Sequence, residues 1–122
     1  QDYTRLNKEL SCTKAIESMV QRGHTEAYLI DDQNKFLGKT SLMSLLAAKD
    51  SMNLLDCIEN NPITIKHDAS LQQAMEAAAK FVGESIPIID RNSQALIGVI
   101  TEADIFQDYL ALQNRVVDLE KR

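Results

Sequence analysis

The run Ile97-Gly98-Val99-Ile100-Thr101-Glu102-Ala103-Asp104 changes character at its middle. Up to Ile100 it is apolar and β-branched, the composition of a short buried strand. Gly98 within it marks a turn or the close approach of another group. Thr101 then occupies the N-cap position of a helix, and Asp104 the third helical position. Side chains so spaced share one side of the first turn, beside backbone N–H groups without partners and the positive end of the helix dipole. A hydroxyl with such donors suits a phosphate, and a carboxylate one turn on suits the paired hydroxyls of a ribose. The same two residues also make a plain capping box with Asp in place of Glu, which would leave them a structural task only.

A chain of 122 residues holds one compact domain or two tightly fused halves. Hydrophobic residues at 44% and charged residues at 25% are those of a globular protein. Without Trp and with few other aromatics, the core has to be aliphatic. A net charge of −5 offers no basic face to nucleic acid and no attraction to an anionic membrane surface. No apolar run approaches the ~18 residues of a membrane span. Residues 1–20 are polar and amphipathic, unlike a signal peptide. Beginning in mid-pattern at Gln1, the sequence reads as an excised piece of something larger. Cys12 and Cys57 have neither Cys-x-x-Cys spacing nor a His nearby, and read as reduced, half-buried cytosolic thiols rather than a disulfide or metal pair.

Outward from Thr101 the pattern repeats. Tyr3-Thr4-Arg5-Leu6 is a weak strand, and Ser11 caps a helix with Ala15, Ile16, Met19 and Val20 on one face. Gly23-His24-Thr25 breaks it. Ala27-Tyr28-Leu29-Ile30 and Phe36-Leu37-Gly38-Lys39-Thr40 are strands about an Asp31-Asp32-Gln33-Asn34 turn, and Ser41 caps a helix carrying Leu42, Leu45 and Leu46. Then Pro62-Ile63-Thr64-Ile65 is a strand, and Ser70 caps a helix with Leu71, Ala74, Met75, Ala78 and Phe81. After a break at Val82-Gly83-Glu84, Ser85-Ile86-Pro87-Ile88-Ile89 and Ala95-Leu96-Ile97-Gly98-Val99-Ile100 flank an Asp90-Arg91-Asn92-Ser93 turn. Ser70 falls on Ser11, Ile89 on Ile30 and Asp90 on Asp31 at an offset of 59; past the turn the offset is 60, and Gly98 falls on Gly38. A one-residue insertion is cheapest in such a surface turn. The halves divide as 1–50 and 62–122, joined by a linker at 51–61 that is partly helical by pattern. One copy is too small to bury both of its faces, so the two pack face to face.

Two tandem copies in this order resemble a CBS domain pair, or Bateman module, over nearly the whole chain from about Tyr3 to Phe106. The second copy carries the more specific marks: Asn61-Pro62-Ile63-Thr64, Ser85-Ile86-Pro87-Ile88-Ile89-Asp90 and Gly98-Val99-Ile100-Thr101-Glu102-Ala103-Asp104. The resemblance implies an α+β fold of two small, mainly antiparallel three-stranded sheets with four main helices about a pseudo-twofold axis. It implies a regulatory module, not an enzyme, that takes an adenine nucleotide (ATP, ADP or AMP) between the copies without a metal. On this chain Thr101 would take the phosphate and Asp104 the ribose, facing Thr4, Arg5, His24, Thr25 and Ala27 of the first copy. The mirror cleft would use Ser41 and Ser44 with Thr64, Ser85 and Ile86.

Three positions depart from that pattern. Ser44 stands where the second aspartate belongs, Lys39 replaces an apolar residue beside Gly38, and Tyr28 stands where the second copy has Pro87. A serine is a weaker partner for a ribose diol than a charged acceptor, so at most one competent cleft is expected, the one with Asp104. The extension over 107–122, apolar at Tyr109, Leu110, Leu112, Val116 and Leu119, reads as one helix continuing from Thr101. With it the chain is similar to the cytoplasmic tail of bacterial CLC-type chloride channels and transporters, which implies a membrane-embedded transport domain as partner and an inner-membrane parent. The stretch Phe36-Leu37-Gly38-Lys39-Thr40-Ser41-Leu42 also fits the CBS tails of osmoregulatory transporter ATPases. A homodimer is expected, covering stripes at Leu42, Leu45 and Leu46 and at Ile105 and Phe106. The rival function is structural dimerisation with no nucleotide, favoured by the missing aspartate and by Arg5 and Glu26 near the pocket. His24 is either an adenine-stacking group or an exposed loop residue. His67-Asp68 reads as solvated, Asp31-Asp32 as turn rather than metal site, and the four Met residues as packing groups. No set of nucleophile, base and orienting group is visible.

Overall fold

Each helix begins where a hydroxyl can accept an otherwise free N–H group. The computed structural model describes residues 2–48, 52–59, 62–81 and 85–120, the last eight as backbone. In it Ser11 opens α1 (Cys12–Arg22), Ser41 opens α2 (Leu42–Ala47) and Ser70 opens α3 (Leu71–Ala79), each side chain accepting from the N–H three residues on. Thr101 opens α4 (Glu102–Glu120) in the same way. The end of α1 is set by Gly23, whose φ of 70° lets its N–H turn back to Met19 and Val20. The expected break at 82–84 lies outside the described residues.

The strands form two sheets. β1 (Thr4–Asn7), β2 (Glu26–Ile30) and β3 (Phe36–Ser41) make one; β4 (Ile65–Lys66), β5 (Ile86–Ile89) and β6 (Leu96–Ile100) make the other. Both are mixed, with more antiparallel than parallel pairing, as expected. β1–β2 and β4–β5 are parallel, and β2–β3 and β5–β6 antiparallel. The reason is connectivity: a helix carries the chain back between the first two strands of each half, whereas a tight turn reverses it between the last two.

The repeat holds to the register. Leu6 pairs with Leu29 and Ile65 with Ile88; Leu29 pairs with Gly38 and Ile88 with Gly98; the register slips after Leu29 and again after Ile88. β4 is nevertheless two residues long where β1 has four, so the expected strand over 62–64 is absent. The N–H of His67 bonds to the carbonyl of Ile89, which turns Ile89, and therefore Pro87 two residues before it, toward β4. Pro87 has no N–H to give there, so pairing stops at Ile65. Tyr28 holds the matching place in β2, and its half keeps the longer strand.

The two halves meet through both backbone and side chains. Asn34 and Gln94, with φ of 63° and 64°, turn their carbonyls outward at the ends of the hairpins. Phe36 N–H bonds to Gln94 O and Leu96 N–H to Asn34 O, both at 2.9 Å, and Lys35 bridges Ala95. Residues 36 and 94 thus exchange roles with 96 and 34, as a pseudo-twofold axis requires. Beside this seam Tyr28, Ile89, Leu96 and Val99 are buried together, with Tyr3, Ile30 and Phe36 against them. Tyr28 Oη donates to the carbonyl of Ser85 at 2.9 Å and also meets its Oγ.

Each half keeps its own core as well. In the first, Leu6, Ala15, Met19, Ala27, Leu29 and Leu45 pack with Leu54, which comes from a 3-10 turn, Leu54–Cys57, in the expected linker. Ile58 follows that turn and lies 3.0 Å from where a Cβ on Gly38 would be, so a side chain there would have to push Ile58 aside by a few tenths of an ångström. In the second half Ile65, Phe81, Ile86 and Ile105 are buried. Phe81 follows α3 rather than riding on it. Leu45 and Ile105 are core residues, not members of exposed stripes, while Val20, expected on the inner face of α1, is 61% exposed.

Tyr28→Phe leaves the buried Ser85 carbonyl without its donor and should cost about 1–3 kcal/mol. Val20→Ala, on the exposed side of α1, should change stability by less than about 0.5 kcal/mol. Urea unfolding of both variants checks the contrast.

Candidate functional site

β6 runs straight into α4, so Thr101 and Asp104 share the first turn. Asp104 N–H donates to Thr101 Oγ1 and Thr101 N–H donates to Asp104 Oδ2, each at 3.1 Å. The capping box is therefore formed. Thr101 N–H, and after it the Thr101 hydroxyl, hold the Asp104 carboxyl below the ordinary carboxylate range. Among the described residues, Asp104 Oδ1 takes no hydrogen bond. Gly98 lies within β6 and makes no turn; a Cβ there would meet nothing within 4 Å, in contrast to the crowded Gly38.

The first-copy residues expected to face this pair form a group of their own. Thr4, at the head of β1, is fully buried and pairs in register with Ala27. Its Oγ1 is 2.6 Å from His24 Nδ1, and His24 Nε2 is 3.4 Å from Asp2 Oδ2, while Arg22 pairs with Oδ1 of the same carboxylate. His24 is thus a tethered, partly buried residue rather than a free loop side chain. The Thr25 carbonyl accepts from Leu42 N–H at the start of α2. Arg5 is exposed and donates to Asn34 Oδ1 at 2.9 Å and to Tyr3 Oη, with its guanidinium over the Tyr3 ring. Tyr3 packs on the cluster that contains Val99, two residues before Thr101. β1 and the β6–α4 junction therefore border the same seam, while among the described residues no hydrogen bond or ion pair joins Thr101 or Asp104 to Thr4, Arg5 or His24.

The mirror cleft differs in kind. A cavity of about 270 Å³ is lined by Ser41 and Ser44, as expected, with Glu26, Lys39, Cys57 and Glu59. Thr64, Ser85 and Ile86 do not line it; Ser85 is turned to Tyr28 and Thr64 borders a separate depression. Lys39 is 5% exposed; its ammonium pairs with Glu26, lies 4.0 Å from Glu59 and sits 4.7 Å from the centre of the Phe81 ring. The wall of this cavity thus carries a buried ammonium paired with a carboxylate, where the second copy has the apolar Val99. The sequence signal was the Lys beside Gly38; Phe81, 42 residues away by the difference of residue numbers, could not be assigned to it.

The remaining polar pairs are structural. Asp68 holds Arg91, and His67 Nδ1 accepts from Arg91 N–H. Asp31 and Asp90 accept backbone N–H groups of their own turns, which lowers both carboxyls. No cluster of potential metal ligands occurs among the described residues, and no described helix is long and apolar enough to cross a membrane.

Lys39→Met leaves Glu26 buried without its ammonium and should cost about 3–5 kcal/mol, whereas Lys39→Met with Glu26→Leu should recover most of that loss. Denaturant unfolding of the single and double variants measures it.

No curated protein matches this chain in sequence. Residues 55–110 match the CBS domain family. Among solved structures, a CBS domain pair/ACT domain protein from Thermotoga maritima is similar with a TM-score of 0.76 at 14% identity, over 92% of each chain. Staphylococcus aureus OpuCA gives 0.77 at 20% identity, over 92% of this chain and 96% of its own. The cytosolic domain of the Mg2+ channel MgtE, in complex with ATP, gives 0.74 at 14% identity, over 86% of this chain and 44% of its own. Identities this low establish a shared fold alone. With its two sheets about a pseudo-twofold seam, the chain has the fold of a CBS domain pair, and residues 55–110 carry the pattern of that family.

Proposed function

We propose that this chain is a regulatory module that senses an adenine nucleotide and does no catalysis. Ligand would bind between the copies, with Thr101 toward the phosphate, Asp104 on the ribose hydroxyls, and Thr4, Arg5, His24, Thr25 and Ala27 on the facing side. What carries the reading is Asp104, ionised at a strand-to-helix junction with one oxygen spent on the cap and the other open. The ATP in the MgtE domain of the same fold supports an adenine nucleotide as ligand class. Binding would act by differential affinity for two arrangements of the halves. The repeats divide in this reading as 1–50 and 62–122, with 51–61 between.

The partner proposed is a membrane-embedded transport domain, with the module on its cytoplasmic side at the inner membrane; likeness to the cytosolic domain of a Mg2+ channel supports that class. A chloride channel or transporter is the finer assignment. It rests on the sequence resemblance that includes the α4 extension, and an osmoregulatory transporter ATPase is its alternative. A second reading, structural dimerisation with an empty cleft, is favoured by the pairing already present: Thr4 with His24, and Arg5 with Asn34 and Tyr3.

Calorimetric titration of the chain with ATP, ADP and AMP separates the two. Asp104→Ala should weaken nucleotide binding about ten- to a hundredfold, the value of a hydrogen bond to a charged group. Ser44→Ala should change affinity little. A larger loss for Ser44→Ala would move the site to the other cleft, and absence of binding by the parent at millimolar nucleotide would favour the structural reading.

We also propose a homodimer. Met43 and Leu46 on α2 are 75% and 57% exposed, and Phe106 on α4 is 59% exposed at the place related to Leu46 by the offset of 60. Two such related patches suit pairing about a twofold axis. Light scattering should give twice the chain mass of 13.7 kDa; a single chain mass at high concentration would count against it.

A further inference from the structure

Cys12 and Cys57 are far apart in sequence and adjacent in the fold. Cys12 is the first residue of α1 and Cys57 the last of the 3-10 turn, and both belong to the core of the first half. Their thiols rest on neighbouring carbonyls: Cys12 Sγ donates to Met52 O at 3.4 Å and Cys57 Sγ to Asn53 O at 3.7 Å. Cys57 packs against the buried cluster that contains Cys12, and the carbonyls that the two thiols meet belong to consecutive residues. Both are free thiols; Cys12 is buried, whereas Cys57 is partly exposed and lines the cavity beside Lys39.

We infer that Cys12 and Cys57 are a redox-sensitive dithiol that closes to an intramolecular disulfide, latching the linker turn to the head of α1. A low-molecular-weight disulfide such as oxidised glutathione is the oxidant. The Cys57 thiolate attacks one sulfur of it, and its S–S bond breaks to release one thiol. Cys12, as thiolate, then attacks Cys57 Sγ and expels the second thiol. Two cysteine S–H bonds and one S–S bond are lost; one cysteine S–S bond and two glutathione S–H bonds are gained. Cysteine is oxidised and glutathione reduced.

The latch acts on the cleft because the same turn supports it. Thr40 Oγ1 donates to Cys57 O at 2.8 Å, and Glu59 N–H donates to Lys39 O at 2.6 Å. Burial, and then the neighbouring Cys12, raise the Cys57 thiol, so the first exchange step should quicken as pH rises through and above the ordinary thiol range.

The whole chain is equilibrated with graded ratios of reduced and oxidised glutathione, then read by intact mass, non-reducing peptide mapping and thermal unfolding. Both thiols should disappear together, with a cross-linked peptide joining residues 12 and 57. Closing that loop should raise Tm by roughly 5–15 °C. Cys57→Ser should show neither change, and Cys12→Ala should stop at a glutathione adduct on Cys57. A glutathione adduct on Cys57 of the parent with Cys12 still reduced, a Cys57–Cys57 link between chains, or two thiols that survive fully oxidising buffer would each overturn the inference.

Discussion

Two backbone hydrogen bonds, Phe36 N–H to Gln94 O and Leu96 N–H to Asn34 O, tie one half of this chain to the other. Asn34 and Gln94, which offer the carbonyls, both adopt the left-handed conformation, which residues other than glycine, asparagine and aspartate rarely do. Each hairpin turns its last carbonyl toward the other sheet, so the seam is reciprocal. Backbone bonds are directional, and this pair fixes which residues of the two sheets stand opposite one another. The apolar contacts of Tyr28, Ile89, Leu96 and Val99 then fill the angle between the sheets. Burial supplies most of the free energy there, and the hydrogen bonds supply the register.

A pseudo-twofold axis would by itself create two equivalent clefts, and the side chains make them unequal. Val99 and Lys39 hold matching places, and one is a core residue while the other is a buried ammonium. A buried charge is tolerated only with a partner, and Glu26 and the Phe81 ring provide one. Their presence gives one cleft a charged wall that the other lacks. In the other half the corresponding strand end leads into Thr101 and Asp104, both partly exposed and joined to each other by the capping box.

Asymmetry also appears in how the halves are finished. The 3-10 turn after α2 plugs the first core with Leu54 and brings Ile58 onto Gly38. Nothing comparable packs on Gly98 among the described residues, and α4 instead continues as one helix to Glu120. The first half is therefore completed by the linker that leads to the second, which couples their stabilities.

Much of this was legible in the sequence for a physical reason: caps, turns and strand periodicity are local. Ser11, Ser41, Ser70 and Thr101 mark helix starts because the N–H groups they satisfy lie within three residues. The offset of 59, becoming 60 past the Asp90 turn, carried the repeat and both hairpins. Thr101 and Asp104 were found together because one helical turn joins them. Tertiary structure decided whatever depends on neighbours distant along the chain. It set the parallel pairing of β1 with β2 and the early end of β4 opposite Pro87. It brought Phe81 onto Lys39 and Cys57 against Cys12, and it buried Leu45 and Ile105 while leaving Leu46 and Phe106 in water. Periodicity names the apolar face of an element, but only the packed neighbours determine how much of that face is covered.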